Sequence, residues 1–380
     1  MDGTASFSYK KLLKTITIFF LCLSIFALSI FTVKPDGVKT YAASTGMAVV
    51  EVTTKRTLFE SNANQRMPMA STTKAMTALV VLENSELDEM VTVPRQAVGV
   101  EGSSIYLKEG EKLTVKELLY GLMLRSGNDA AVALALHVGG SLDGFANMMN
   151  EKAKQLGLKN THFTNPHGLH DDNHYTTAYD LAICSAYAMQ NKDFAEIVGA
   201  KSYTINSPQG KRYLVNKNKI LTTYEGGTGV KIGFTKKAGR CLIASSEREG
   251  LKVVAVVLNC GPMFQECSRL MDKAHNEYKM VKVFEKGERL SKLLVDGGRE
   301  KFVDAVINED IMLPMKKDGS DKFSFKLILP DKLDAPIKKD MKVGEIEISL
   351  NDCLHFSQSI YTIKDINKKG VRDYLKEFFD

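Results

Sequence analysis

A serine and a lysine three residues apart stand where a polar stretch gives way to an apolar one: Pro68-Met69-Ala70-Ser71-Thr72-Thr73-Lys74, then the run Ala75 to Leu82. The run reads as a helix with Ser71 just ahead of it. One helical turn places positions i and i+3 on the same face, so the Lys74 amine can reach the Ser71 hydroxyl. A lysine buried beside other cations loses proton affinity and can act as a base. The helix start adds free backbone N–H groups that can polarise a carbonyl. These are the parts of a serine acyl-transfer site that needs no histidine. Alone, the pattern is equally a helix start with a capping serine and a solvated lysine, and four-residue patterns arise freely. Only a fold that brings other polar segments to this turn gives it chemical meaning.

With 380 residues the chain is long enough for two ordinary domains. Apolar content of 44% and charged content of 25% are globular values. The net charge is +6, and residues 1–43, with five lysines and two aspartates, supply +3 of it. A mature chain starting near Ala43 is too weakly basic to indicate nucleic-acid binding. Residues 1–43 read as an export signal: Lys10, Lys11 and Lys14 form a basic start, Thr15 to Val33 is uncharged and mostly apolar, and Thr40-Tyr41-Ala42-Ala43-Ser44 offers small residues for cleavage. The run is also just long enough to span a bilayer, so an uncleaved anchor is the alternative. Either reading places the rest of the chain at the outer face of a cytoplasmic membrane or in the wall. Beyond Cys22 there are five cysteines, an odd number at irregular spacing, and neither a disulfide framework nor a CxxC metal site follows.

Along the chain, Gly46 to Val52 and Thr57 to Phe59 read as two strands joined by a polar turn. Helices are expected over Thr114 to Met123, Ala130 to Val138, Leu142 to Leu156 and Thr177 to Met189. Four of the seven histidines and two aspartates fall within Thr161 to His174. No HExxH is present, and the Pro, Gly and Asn content favours an irregular hydrogen-bonded loop over a zinc cluster. No metal and no cofactor is expected. Val230 to Thr235, Arg240 to Ser245 and Lys252 to Leu258 carry a hairpin signal, which with the first strands suggests one antiparallel sheet packed against helices. Met271 to Phe284 is amphipathic and reads as the last helix of a first domain covering 44–284. Short strands then indicate a small β domain over 285–362, and 363–380 reads as an amphipathic tail. In the tail, Val371, Tyr374, Leu375, Phe378 and Phe379 share a helical face near several lysines. That face suits an anionic membrane surface or its own domain equally.

Three motifs occur in one order: Ser71-x-x-Lys74, Ser126-Gly127-Asn128 and Lys231-Ile232-Gly233. The set is similar to the S-x-x-K, S-x-N, K-T-G pattern of penicillin-recognising serine enzymes. With Leu124-Arg125-Ser126-Gly127-Asn128-Asp129-Ala130-Ala131, Asn165-Pro166-His167-Gly168-Leu169 and Lys236-Lys237-Ala238-Gly239-Arg240-Cys241, the chain most resembles the D-alanyl-D-alanine carboxypeptidases. These are the low-molecular-mass penicillin-binding proteins of peptidase family S11. The likeness spans roughly Ala43 to Lys282, and more loosely the β domain and tail.

The resemblance implies an α+β fold: a transpeptidase/β-lactamase-like domain, then a small all-β domain and an amphipathic helix. It implies the D-Ala-D-Ala end of the peptidoglycan stem peptide as substrate and β-lactams as covalent inhibitors. It also implies roles. Ser71 would attack the penultimate D-Ala carbonyl and Lys74 would take its proton. Ser126 would relay a proton to the leaving D-Ala, and Asn128 would hold the substrate amide and Lys74. Amides of Ser71 and Phe234 would form the oxyanion hole, Lys231 would supply positive potential for the substrate carboxylate and help depress the pKa of Lys74, and Gly233 would belong to the substrate-binding set. The pattern is broken at Ile232, which stands where threonine would offer a hydroxyl to the substrate carboxylate, and at Gly227-Thr228-Gly229, which replaces the usual V-D-G. A hydrogen bond to a charged group is worth roughly 1.5–3 kcal/mol, so the missing hydroxyl implies a loss of about tenfold to a hundredfold. Lys217 is a candidate second cation. The alternatives are a β-lactamase or D,D-endopeptidase on the same fold, and a catalytically weakened wall-binding protein.

Overall fold

A computed structural model describes residues 45–351 and 353–373. The expected export segment, 1–43, and the tail beyond residue 373 lie outside the described residues.

The chain enters through a hairpin of β1 (Gly46–Glu51) and β2 (Thr57–Ser61). A single 3-10 turn, Ala70–Thr73, leads into helix α1 (Lys74–Asn84). Short strands β3 (Met90–Thr92) and β4 (Lys112–Thr114) pair and bracket a loop. Helices α2 (Val115–Leu124), α3 (Asn128–Gly139), α4 (Leu142–Gln155), α5 (Ala178–Ala188) and α6 (Lys192–Gly199) follow. Their starts are set by side chains that accept orphan N–H groups: Thr114 and Glu117 close a reciprocal capping box, and Ser141, Thr177 and Asn191 cap α4, α5 and α6. A hairpin of β5 (Ser202–Ser207) and β6 (Gly210–Val215) and a one-turn helix α7 (Ile220–Thr223) precede the long strands β7 (Gly227–Thr235), β8 (Gly239–Arg248) and β9 (Leu251–Leu258).

Five strands form an antiparallel sheet in the order β2-β1-β9-β8-β7, which leaves β7 at an edge. Strand β9 reads LKVVAVVL because both of its faces are covered. Val254, Val256 and Leu258 join the helical core, while Val253, Ala255 and Val257 pack beneath helix α8 (Met263–Glu277). Helix α1 is buried from Lys74 through Val81, so its sequence is apolar around most of its circumference. The Ser71 turn is thereby fixed at the centre of the domain.

The helix expected over 271–284 ends at Glu277. Tyr278–Phe284 is strand β10, paired with β13 (Ile311–Lys316). Its aromatic and β-branched residues suit a pleated surface, and that preference outweighs the helical spacing carried over from α8. The second region's first strand thus lies ahead of the expected 284/285 boundary. There, β11 (Arg289–Asp296), β12 (Phe302–Val306), β14 (Phe323–Ile328), β15 (Lys332–Asp334), β16 (Lys342–Leu350) and β17 (Cys353–Thr362) form one sheet around a separate apolar core. Helix α6 and the β5–β6 hairpin have no counterpart in the sequence reading. Tyr213 and Val215 are exposed, which blurs the alternation a hairpin would show. Cys184, Cys241, Cys260 and Cys267 are buried and free.

One buried ion pair ties the first hairpin to the β region. Arg56 grips Asp321 through both guanidinium nitrogens, at 2.7 and 2.8 Å, and also donates to the Pro314 carbonyl. Asp321 further accepts from the Lys316 amide and Asn351 Nδ2. The two side chains are 9% and 1% exposed. The donors around Asp321 hold its carboxyl far below the ordinary range despite burial. Removing one partner of such a pair strands the other, at a cost of about 3–5 kcal/mol. We therefore expect Asp321→Ala to lower the unfolding free energy by ~3–5 kcal/mol at neutral pH, read from denaturant melts. Because the folded pKa is depressed, the contribution is complete above the ordinary aspartate value of about 4 and fades only as pH falls towards the depressed value. The gap between wild type and variant should narrow only in that acid range.

Candidate active site

The Ser71 turn is strained on purpose-built supports. Ala70, the residue before Ser71, has φ 49°. Such values are uncommon for a residue with a Cβ and persist only where neighbours enforce them. Gly168 presses on its carbonyl: a Cβ there would lie 1.9 Å from Ala70 O, and the backbone φ is +85°. From the other side, β7 passes so close that a Cβ on Gly233 would sit 3.1 Å from the amide nitrogens of Ser71 and Thr72. Only glycine permits this approach between the sheet edge and the turn.

Lys74 is fully buried. Its Nζ lies 3.2 Å from Ser71 Oγ, 2.7 Å from Asn128 Oδ1 and 2.7 Å from the His167 carbonyl oxygen. Burial, then the Lys231 and Lys217 charges, drive its pKa well below that of a free lysine, and Asp129 opposes them. A neutral amine has two N–H groups and one lone pair. In a neutral Lys74 the Asn128 and His167 oxygens would take the two N–H groups and leave the lone pair towards Ser71 Oγ. Such an arrangement suits a general base.

The Ser126-Gly127-Asn128 segment reaches this point because the loop before it is pinned. Asn128 Nδ2 donates to the Glu101 carbonyl and its amide to Ser103 O, the latter at 2.7 Å. Asp129, buried at the start of α3, accepts from the Ile105, Leu107 and Ala130 amides and from Ser104 Oγ. Asp129 was visible in the sequence as part of the motif's wording, but its task was not. Ser126 is buried with φ 64°. Lys231 is buried on β7, its Nζ donating to the Ile232 carbonyl at 3.0 Å, and burial followed by the Lys217 charge lowers its pKa to about 7. The Lys217 amide donates to Leu124 O, which brings that second cation beside the Ser126 segment. Phe234 is exposed on the edge strand. Ile232 packs against the second core rather than on the Lys231 side, as alternation along a strand requires. All seven residues singled out in the sequence thus lie on the three segments that meet here.

Among the described residues no group of three or more His, Cys, Asp or Glu side chains is placed to hold a metal ion. The histidine-rich loop serves the turn instead: Pro166 O accepts from Thr77 Oγ1 at 2.6 Å, and His174 bonds Thr73 Oγ1 at 2.8 Å.

Comparisons with known proteins agree with this geometry. Residues 31–261 match the family model described as D-alanyl-D-alanine carboxypeptidase, and residues 278–368 match the C-terminal domain of penicillin-binding protein 5. The chain is 32% identical over 97% of its length to the D-alanyl-D-alanine carboxypeptidase DacF of Bacillus subtilis, of which it covers 97%. It is 30% identical to DacD of Escherichia coli, over 87% of this chain and 89% of that one. Among solved structures, penicillin binding protein 5 from Haemophilus influenzae aligns with a TM-score of 0.67 at 28% identity, covering 85% of this chain and 97% of that one. A peptidoglycan synthesis regulatory factor from Streptococcus pneumoniae aligns at 0.74 and 27%, covering 85% and 98%. The fold and site are those of a penicillin-recognising serine peptidase. The chain belongs to the D-alanyl-D-alanine carboxypeptidase family, peptidase family S11.

The cation cluster makes a pH prediction. The Lys217 charge lowers the pKa of both Lys74 and Lys231. Removing that charge raises their pKa values, so Lys217→Ala should move the acid limb of the acylation rate to higher pH. The rate of labelled-penicillin incorporation measured across pH reads this, and an unmoved or downward-moved limb contradicts it.

Proposed function

We propose that this D-Ala-D-Ala carboxypeptidase works through an acyl-enzyme on Ser71. Ser71 Oγ gives its proton to Lys74 Nζ and bonds to the penultimate D-Ala carbonyl carbon, whose oxygen becomes an oxyanion held by the Ser71 and Phe234 amides. Collapse breaks the peptide bond. The leaving D-Ala nitrogen takes a proton supplied by Lys74 and relayed through Ser126. Water then attacks the ester, Lys74 again accepting a proton, and Ser71 is released. Asn128 orients both the substrate amide and Lys74, while Lys231, Gly233 and Lys217 line the place of the terminal carboxylate. The observation that carries the reading is the buried Lys74 amine, its Nζ 2.7 Å from the Asn128 and His167 oxygens and 3.2 Å from Ser71 Oγ.

The substrate is the peptidoglycan stem pentapeptide, and β-lactams acylate the same oxygen. The chain works outside the cytoplasm after export through residues 1–43, with the β region as a separate module and the C-terminal tail as a contact with the membrane surface. A weakened, wall-binding protein is the second reading, favoured by Ile232 and Thr228.

Release of D-Ala from diacetyl-Lys-D-Ala-D-Ala tests the proposal. Wild type should release D-Ala and Ser71→Ala should not; equal release by both ends the enzymatic reading. Ile232→Thr should raise kcat/KM by ~10- to 100-fold. No gain there means that the hydroxyl is not what this site lacks. With labelled penicillin, a persistent adduct on Ser71 is expected, whereas rapid turnover would identify a β-lactamase.

A further inference from the structure

His174 is 3% exposed and takes no direct part in the chemistry above. Its ring makes two short directional bonds, and the Thr164 hydroxyl lies farther off, 3.4 Å from Nδ1. The Thr164 amide, which can only donate, points at Nδ1 from 3.0 Å. Nδ1 is therefore a bare acceptor, and the neutral ring carries its proton on Nε2. Nε2–H then donates to Thr73 Oγ1 at 2.8 Å. With its lone pair engaged there, the Thr73 hydroxyl directs its own proton to the Ala70 carbonyl, also 2.8 Å away. That carbonyl belongs to the residue at φ 49° that immediately precedes Ser71, and Gly168 presses on it from the other side. Burial keeps the imidazole neutral, with a pKa lowered to about 4, so the donor sequence does not invert near neutral pH. The Phe163 ring, edge-on with centroids 5.7 Å apart, fixes the imidazole plane.

We propose that His174 is a positioning residue for Ser71, acting through the Thr73 hydroxyl on the Ala70 carbonyl and so holding the strained turn that aims the serine at Lys74. The inference rests on the reading of Ser71 as the acylated residue. His174 never exchanges a proton with substrate. It sets which way one hydroxyl points, and that hydroxyl sets where the peptide ahead of Ser71 lies. Because Thr73 sits between Ser71 and Lys74, a small rotation of the turn changes the one distance on which proton transfer depends.

The test is the rate of acylation by labelled penicillin in wild type, His174→Leu, His174→Gln, Thr73→Val and the Thr73→Val/His174→Leu double variant, with thermal melts of each. His174→Leu should slow acylation about tenfold or more while leaving the binding step nearly unchanged. His174→Gln restores an N–H donor towards Thr73 and should recover most of the rate. Thr73→Val should cost as much as His174→Leu, and the double variant should be no slower than the slower single one, because both break the same chain. Effects that multiply in the double variant, a His174→Gln as slow as His174→Leu with both folded, or a His174→Leu at wild-type rate each overturn the inference while leaving the Ser71 reading intact. If His174→Leu does not fold, Thr73→Val decides: a wild-type acylation rate overturns the inference, and a loss of the expected size supports it. A wild type that forms no adduct overturns the Ser71 reading and this inference with it.

Discussion

Placing an ammonium group in the centre of an apolar domain is so unfavourable that the group gives up its proton instead. Lys74 is in that position: it begins a helix that is buried for its first eight residues, and burial together with the Lys231 and Lys217 charges outweighs the opposing Asp129 carboxylate. Neutralisation is a consequence of where the helix lies. What remains is to give a neutral amine a direction, and two oxygens from distant parts of the chain do so. One belongs to Asn128 at the start of α3 and the other to the His167 carbonyl in an irregular loop. The backbone turn that carries the Ser71 hydroxyl is held by a third group of contacts, from Gly168, Gly233 and Thr73. The site is thus built mainly from backbone, which cannot rotate away as long side chains can.

The sheet makes this arrangement possible. With β9 covered on both faces and β1 and β8 flanking it, the domain has one stiff layer between two cores. Strand β7 is the edge of that layer, so one of its margins is free to line a cleft while the other is held by β8. Lys231 and Gly233, two residues apart, point to the cleft side, and Ile232 between them packs on the second core. The loop that carries Asn128 is set by Asp129, whose carboxylate collects three backbone amides and a hydroxyl. A carboxylate so surrounded is satisfied without a cation of its own, and its charge offsets part of the positive field that Lys231 and Lys217 exert on Lys74.

Much of this was legible in the sequence, and the limits have physical causes. Ser71, Lys74, Asn128 and Lys231 stood out because their spacing and order are local properties of the chain. The long helices and the β7–β8–β9 meander follow from periodicity and turns. The work of Asp129 and His174 depends on bonds to residues 22 to 101 positions away, and no spacing rule reports those. His174 was noticed only as one of four histidines in a loop, where composition raised the question of a metal. What separates a ligand set from a hydrogen-bonded prop is the direction of each ring nitrogen, which composition does not carry. The strand over Tyr278–Phe284 was hidden for another reason. Its partner, Ile311–Lys316, lies beyond an intervening hairpin, so its pairing is non-local while its helical spacing is local. Backbone amides such as those proposed for the oxyanion have no sequence signature at all.

The same field that frees Lys74 of its proton constrains the proposed reaction. The Lys231 and Lys217 charges make protonation of Lys74 harder, and Lys217 does the same to Lys231. A substrate that brings a carboxylate to Lys231 favours protonation of the lysines it approaches, by the reverse of that repulsion. If the carboxylate acted equally on both buried amines, binding would protonate the base and stop the chemistry. The geometry separates the two. Lys231 lies on the edge strand with its Nζ on a single backbone carbonyl, so it can reorganise around an incoming anion. Lys74 is enclosed by two acceptors and the Ser71 hydroxyl, which already take up its polar contacts. The cation that meets the substrate can therefore take up the charge, while the amine that meets the serine keeps its free pair. That division of labour explains why a site with one serine to activate needs more than one buried lysine.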